Sequence, residues 1–292
     1  MNTLYNKYPF LFKLTEEKAL KEFLFLRNYD YNRELNKTFK GNHASNFFFQ
    51  YYRFNTKFKT RKNSPVAAWD NPEERKKIIE RSGKFRPNLS LGSRLRSVFQ
   101  LYYAPILQFK PIVACYIYKK FKPNTILDFS AGWGDRLLAA MVHNCNYIGI
   151  DTNKDLKKPY KEMVTFFKPH TKSKVKMYFK KAETVDYSKL NYDFVLTSPP
   201  YYDKETYHHM PKYKSYEDWL KKFLLKTVKK VFTSLKKGGV MGLHLPKVLY
   251  DEIEKEMGKC NDKMLYPKQS KNTGYHNDRK ASYLEYIYFW NK

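Results

Sequence analysis

Residues 125–140 read TILDFSAGWGDRLLAA. A short apolar run ends on Asp128, a tight turn follows through Ser130, Ala131, Gly132 and Gly134, and a helix with an apolar stripe opens at about Asp135. Strand, turn and helix in that order predict an α/β unit. Glycines there let backbone approach a ligand closely, and a helix start supplies N–H groups with no intrahelical partner. A phosphate loop begins the same way but needs Lys-Ser or Lys-Thr after the glycines, and Asp135-Arg136 stands there instead. The next apolar run, YIGID (147–151), ends on Asp151, whose carboxylate can accept the two hydroxyls of a ribose. The two strand ends suit a nucleoside and a dinucleotide equally. The plain alternative is a glycine-rich turn that holds nothing.

Working outward, the pattern repeats. VKMYF (175–179), DFVLT (193–197) and VMGLHL (240–245) are further short apolar runs, separated by helical stretches such as IVACYIYKKF and LKKPYKEMVTFF. The longest helix is predicted over 216–237, with Ser215 as its cap, Asp218 three residues on, and Gly238-Gly239 as its stop. Such alternation predicts an α/β fold with a mostly parallel sheet and helices on both faces, and ligands at the carboxyl edge of the strands. Residues 1–108 differ. They read as mostly helical and basic, with Thr15 and Asn71 as helix caps and Pro72 at a first helical position. The division predicted is 1–108, a basic helical region, and 109–292, the α/β domain.

The 292 residues carry 56 Lys plus Arg against 28 Asp plus Glu, a formal charge of +28, which calls for a polyanionic partner, nucleic acid first. Codon bias toward Lys, Asn, Tyr and Phe is the competing explanation. Between Glu34 and Asp70 there is no acid, while Arg53, Lys57, Lys59, Arg61 and Lys62 all occur, interleaved with Phe47, Phe48, Phe49, Tyr51 and Tyr52. Cations on phosphates and rings on bases suit a nucleic acid; a buried FFF segment beside a solvated charged face is the other reading. Three cysteines, Cys115, Cys145 and Cys260, are too few and too scattered for a disulfide framework or a zinc cluster. His208-His209 have no further ligands at metal-binding spacing, so no metal is expected. No apolar run of about 18 residues exists to span a membrane. With no secretory leader pattern at the start, the expected location is intracellular.

After DFVLT comes Ser198-Pro199-Pro200-Tyr201. This tetrapeptide resembles the catalytic signature of the S-adenosylmethionine-dependent amino methyltransferases that modify exocyclic nitrogens of nucleic-acid bases. The resemblance covers roughly 105–292 and implies a Rossmann-like core of seven strands, with S-adenosylmethionine as cofactor. It implies that Phe109, Lys110 and Pro111 contact the methionine part, that Asp128, Ala131 and Gly132 border it, that Ser130 and Gly134 also belong to the cofactor site, that Asp151 holds the ribose, and that Ala182 and Glu183 lie by the adenine. The longer arrangement FKP…FSAGWGDRLLAA…TSPPYYD, with RKNSPVAAW upstream, also looks like methyltransferases of phages and large DNA viruses, which would put the chain in a host cytoplasm or nucleus.

The chemistry of the signature is legible in its residues. Two prolines fix the backbone and remove two N–H donors. An exocyclic amine is a poor nucleophile because its lone pair is conjugated with the ring. Acceptors at the Ser198 hydroxyl and the Pro199 carbonyl can hold both amine hydrogens, while Tyr201 stacks on a base flipped from its duplex. The resemblance further implies the target: in that family Ser in the first position leans toward cytosine N4, narrowly ahead of adenine N6, and DNA leads RNA as partner. Target recognition falls by elimination on the basic amino-terminal half with the 202–216 loop. An RNA base methyltransferase, a fold that has lost turnover and serves as a binding subunit, and a protein-amine substrate are the alternatives.

Overall fold

The computed structural model describes residues 2–32, 40–58, 61–85, 87–103, 107–202, 205–206, 209, 211–267 and 285–292. The amino-terminal part lays down α1 (Asn2–Lys7), α2 (Glu16–Arg27), α3 (Asn42–Phe54), a two-residue strand β1 (Lys57–Phe58), α4 (Pro65–Asp70), α5 (Pro72–Gly83) and α6 (Leu91–Tyr102). The predicted caps are in place: Thr15 accepts from the Lys18 N–H and Asn71 from the Glu74 N–H. From α7 (Pro111–Phe121) onward strands and helices alternate: β2 (Thr125–Asp128), α8 (Asp135–Val142), β3 (Asn146–Asp151), α9 (Lys157–Phe167), β4 (Val175–Phe179) and β5 (Phe194–Thr197). After a short β6 (Glu205–Thr206) come α10 (Tyr216–Trp219), a π-helical stretch over Leu220–Leu225, α11 (Lys226–Ser234), β7 (Val240–Pro246), α12 (Lys247–Met257), β8 (Asp262–Leu265) and β9 (Glu285–Asn291).

Seven strands form one sheet in the order β4-β3-β2-β5-β7-β9-β8. The first five of that order run parallel, and β9 returns antiparallel between β7 and β8. This is the Rossmann-like, seven-stranded α/β core expected. All five strands read from the apolar pattern are present, while β8 and β9 went unread. DKML is short and half polar, and antiparallel return strands carry no strand–helix alternation to announce them.

Apolar layers cover both faces. On one, α7, α8 and α9 pack with α2 and α3 in a single cluster that joins the amino-terminal helices to the sheet. On the other lie the long helix and α12. A smaller cluster, with Phe10, Trp69 and Phe99 at its centre, belongs to the amino-terminal helices alone. Phe47, Phe48 and Phe49 are all buried, so of the two readings of this segment the core one holds: these rings are not available to stack on bases. Phe23 stacks on Phe167 at 4.4 Å and Phe49 meets Tyr160 edge-on at 4.8 Å. Each such buried ring contributes roughly 2–3 kcal/mol, enough to seat α2 and α3 firmly against α8 and α9.

Candidate active site

The turn after β2 is built from its own polar groups. The Ala131 N–H donates to the Ile150 carbonyl at 3.0 Å, tying the turn to β3. Gly132 and Gly134 both have positive φ, 61° and 75°, where a side chain would be strained. The Gly132 N–H donates to Asp151 Oδ2 at 2.8 Å, the Asn153 N–H to Asp151 Oδ1 at 2.8 Å, and the Tyr160 hydroxyl to the Gly132 carbonyl at 2.9 Å. Burial pushes the Asp151 carboxyl up to about 6 despite those two N–H donors. A Cβ on Gly132 would face open space, with Ser130 O the nearest atom at 3.8 Å, whereas one on Gly134 would lie 2.5 Å from Phe49 Cε2. The turn is thus open at Gly132 and closed over by α3 at Gly134.

Asp128 does something other than border a ligand. It is fully buried; Arg136 Nε donates to its Oδ2 at 2.6 Å, as does the Tyr147 hydroxyl at 2.6 Å, and Arg136 also donates to the Ser130 carbonyl at 2.5 Å. Both carboxylate oxygens are spent inside the protein. The place given to Asp128 beside the cofactor is therefore corrected: it clamps the turn through Arg136, whose own pKa is driven up chiefly by that carboxylate against the cost of burial. Asp135, at the start of α8, faces the amino-terminal region: Ser45 Oγ donates to its Oδ1 at 2.5 Å and Gln108 Nε2 at 2.9 Å.

The second half of the site follows from strand register. Parallel pairing sets Leu127 beside Val195 and Thr197 beside Leu243, so the ends of β2, β5 and β7 lie side by side at the carboxyl edge. Ser198-Pro199-Pro200-Tyr201 leaves β5 there, next to the glycine turn, with neighbouring strands about 4.8 Å apart. Pro199 is buried; Ser198, Pro200 and Tyr201 are half-buried. Ser198 Oγ lies 3.0 Å from His244 Nδ1 at the end of β7, and His244 Nε2 lies 3.4 Å from Glu285 Oε2 at the start of β9. Phe109 bridges the two halves: Arg136 lies over its ring at 5.2 Å and His244 meets it edge-on at 5.5 Å. The Lys110 N–H donates to the Tyr266 hydroxyl at 2.8 Å, and Pro111 opens α7. Lys110 is buried, which lowers its pKa.

Ala182 is buried and Glu183 accepts from the Tyr213 hydroxyl at 3.2 Å. Beside them is a cleft of about 380 Å³ with Lys181, Lys212, Lys214, Lys222 and Lys226 in its walls. Trp133 is packed in the core. Of the basic segment, Lys57, Arg61 and Lys62 are exposed. Arg53 is not: its guanidinium is buried, donates to Asn46 Oδ1 at 3.0 Å, and has its pKa lowered to about 10 by desolvation. Its assignment to a nucleic-acid surface is withdrawn, because a guanidinium on the buried face of α3 cannot meet a phosphate. Arg96 likewise serves the fold, donating to the Phe10 carbonyl at 3.1 Å. Lys59, Asp203, Tyr207 and His208 lie outside the described residues. β1 pairs antiparallel with β6, Lys57 opposite Thr206, which joins the basic segment to the chain just after the diproline corner.

Sequence reading missed His244 and Glu285. The available signal was a lone imidazole in an otherwise apolar strand, at the same edge as the diproline corner. Among the described residues no group of three or more His, Cys, Asp or Glu is placed to hold a metal ion, and no helix is long and apolar enough to cross a membrane.

No family model and no curated protein matches the chain. Solved structures similar to it include TrmN from Thermus thermophilus (14% identity, TM-score 0.40, 63% of this chain and 49% of that one). Others are the tRNA (m1A58) methyltransferase TrmI from Aquifex aeolicus (14%, 0.42, 63% and 69%) and a SAM-dependent O-methyltransferase from Thermotoga maritima (14%, 0.42, 66% and 68%). The chain spans about half the length of the T. thermophilus protein. Identities and overlaps of this size say nothing about substrate.

Proposed function

We propose that the chain transfers a methyl group from S-adenosylmethionine to the exocyclic amine of a nucleic-acid base, with cytosine N4 of DNA the first acceptor to test. The observation that carries this reading is the juxtaposition at one sheet edge of a ribose-type cradle, Gly132 with Asp151, and a diproline corner with its two oxygens, Ser198 Oγ and the Pro199 carbonyl. The residues fit the cofactor: the turn is open where a Cβ at Gly132 would stand, and each Asp151 oxygen, having accepted one N–H, keeps a lone pair for a ribose hydroxyl.

When bound, the cofactor supplies a methyl group made electrophilic by its sulfonium. The protein's work is orientation. Ser198 Oγ and the Pro199 carbonyl accept the two amine hydrogens, so the nitrogen lone pair turns out of conjugation toward the methyl. The proline ring at position 200 leaves no N–H to compete. Tyr201 supplies the stacking face that offsets the cost of unstacking the base, a few kcal/mol. A strong base is unnecessary, because the amine proton becomes acidic only as the new N–C bond forms, and it then passes to solvent water. The pairing of β1 with β6 supports a recognition role for Lys57, Arg61 and Lys62, since phosphate contacts there would hold the strand beside the corner.

The test is methyl transfer from labelled S-adenosylmethionine to unmethylated DNA and, in parallel, to RNA. Ser198→Ala should slow turnover, and Pro200→Ala and Tyr201→Ala should nearly abolish it, with cofactor affinity unchanged. Asp151→Ala should instead weaken cofactor binding. Unaltered turnover in the corner variants refutes the site. Transfer to RNA alone reassigns the substrate, and cofactor binding with no transfer to either makes the chain a binding subunit.

A further inference from the structure

His244 sits in β7 directly beside the catalytic corner and is 7% exposed. Its ring lies against Tyr266, centroids 4.1 Å apart, and against the edge of Phe109 at 5.5 Å, so packing fixes its plane. One nitrogen, Nδ1, is 3.0 Å from Ser198 Oγ; the other, Nε2, is 3.4 Å from Glu285 Oε2, an ion-pair contact that falls short of hydrogen-bond geometry. No role follows for either residue from the diproline signature itself.

We infer that His244, held by Glu285, is a positioning residue that makes the Ser198 hydroxyl an acceptor toward the substrate amine. The inference rests on the reading of Ser198–Tyr201 as the catalytic corner. Its logic is that of tautomers. A carboxylate 3.4 Å from Nε2 and a hydroxyl 3.0 Å from Nδ1 together favour the tautomer with the imidazole proton on Nε2. Nδ1 is then a bare lone pair, and the hydroxyl hydrogen of Ser198 is drawn into it. Both Oγ lone pairs are left facing outward, where an NH2 group presents hydrogens. In the opposite tautomer, or with the ring doubly protonated, Nδ1–H donates to Oγ. The serine hydrogen then turns toward the incoming amine, donor against donor, and one of the corner's two acceptors is lost.

Among the described residues the titratable groups that face the ring include Glu285 from β9 and Tyr266 from the segment after β8; the charges of Asp135 and Arg136 act on Tyr266, and Lys110 adjoins Phe109. A second proton on the ring would make Nδ1 a donor to Ser198 Oγ, so a loss of turnover at saturating cofactor that depends on Ser198 is the pH signature of this contact.

The experiment measures kcat, cofactor Kd and their pH dependence for wild type, Ser198→Ala, His244→Ala, Glu285→Gln and the Ser198→Ala/His244→Ala pair. The acceptor is unmethylated plasmid DNA, or total RNA where RNA is the better substrate. His244→Ala is expected to leave cofactor Kd within about 2-fold and to lower kcat roughly 10- to 100-fold, with Glu285→Gln, which keeps the ring and its packing, intermediate. The double variant should be no slower than Ser198→Ala alone, and Ser198→Ala should lack the acid limb of kcat. These two readouts distinguish orientation from mere packing. If the single losses multiply in the double variant, or if Glu285→Gln matches wild type at every pH, the inference is overturned while the corner stands. If Ser198→Ala itself turns over normally, it is the catalytic corner that fails.

Discussion

At the turn after β2, Asp128, Arg136, Tyr147, Asp151 and Tyr160 are joined to one another or to the turn backbone by hydrogen bonds, and α3 closes the far side through Phe49. At the corner after β5, rigidity comes from two proline rings. The chain beyond is flanked by aromatic packing, Tyr202 against Tyr216 and Trp219 with centroids 6.1 Å apart in each case. The difference matches two kinds of task. A turn that meets the same ligand each cycle gains from being fixed in advance. On the proposed function, a corner that admits and releases a base needs a few well-aimed oxygens beside a surface that can part.

That contrast can be broken at its strongest point first. Arg136→Met removes the cation that neutralises buried Asp128, and stability to denaturant should drop by about 3–5 kcal/mol. A loss under about 1 kcal/mol would mean that the turn is not held this way. Tyr201→Ala should do the reverse: a turnover loss of about 100-fold, equivalent to ~2.7 kcal/mol of barrier, with little change in the melting temperature. A large fall in stability would show the corner to be as structural as the turn. The two glycines sharpen the contrast within the turn. Gly134→Ala must displace the Phe49 ring and should destabilise by about 1–3 kcal/mol beyond the strain of positive φ, whereas Gly132→Ala should carry the strain alone, roughly 1–2 kcal/mol, and weaken cofactor binding instead.

The smallest effect is a pH dependence. Burial pushes the Asp135 carboxyl up to about 7, against the pull of Ser45, Arg136 and Arg53. The folded protein therefore holds that proton more tightly than the unfolded chain. The stabilisation is complete below pH ~4 and is lost as pH rises to about 7, with Asp151 adding to the decline in the same window. Asp135→Asn stays neutral throughout. Its melting temperature relative to wild type should rise by several °C between pH 5 and pH 8, as followed by circular dichroism. A constant difference would show that Asp135 does not change its charge across the range.

Much of the α/β core was legible because its signals are local. Apolar runs that end at Asp128, Asp151 and Thr197 mark the strands and where they stop, and capping residues such as Thr15, Asn71 and Ser215 mark helix starts by chemistry within one turn. What could not be read is what distance in sequence conceals. Whether Phe47–Phe49 meet bases or a core depends on α8 and α9 packing against α3. Whether Arg53 is a surface cation depends on the same contact. Asp128 looks the same on paper whether it faces a ligand or Arg136, and the Ser198–His244–Glu285 chain links three strands whose adjacency only the sheet order supplies.

The measurement that bears most directly on the whole account is the identity of the product. Nucleic acid incubated with the protein and S-adenosylmethionine is digested to nucleosides and read by mass spectrometry. The account predicts a nucleoside methylated on an exocyclic nitrogen, N4-methylcytosine first, formed by wild type and lost with Tyr201→Ala. Methylation at a ring carbon or a ribose oxygen, or no methylated nucleoside from either DNA or RNA, would contradict it.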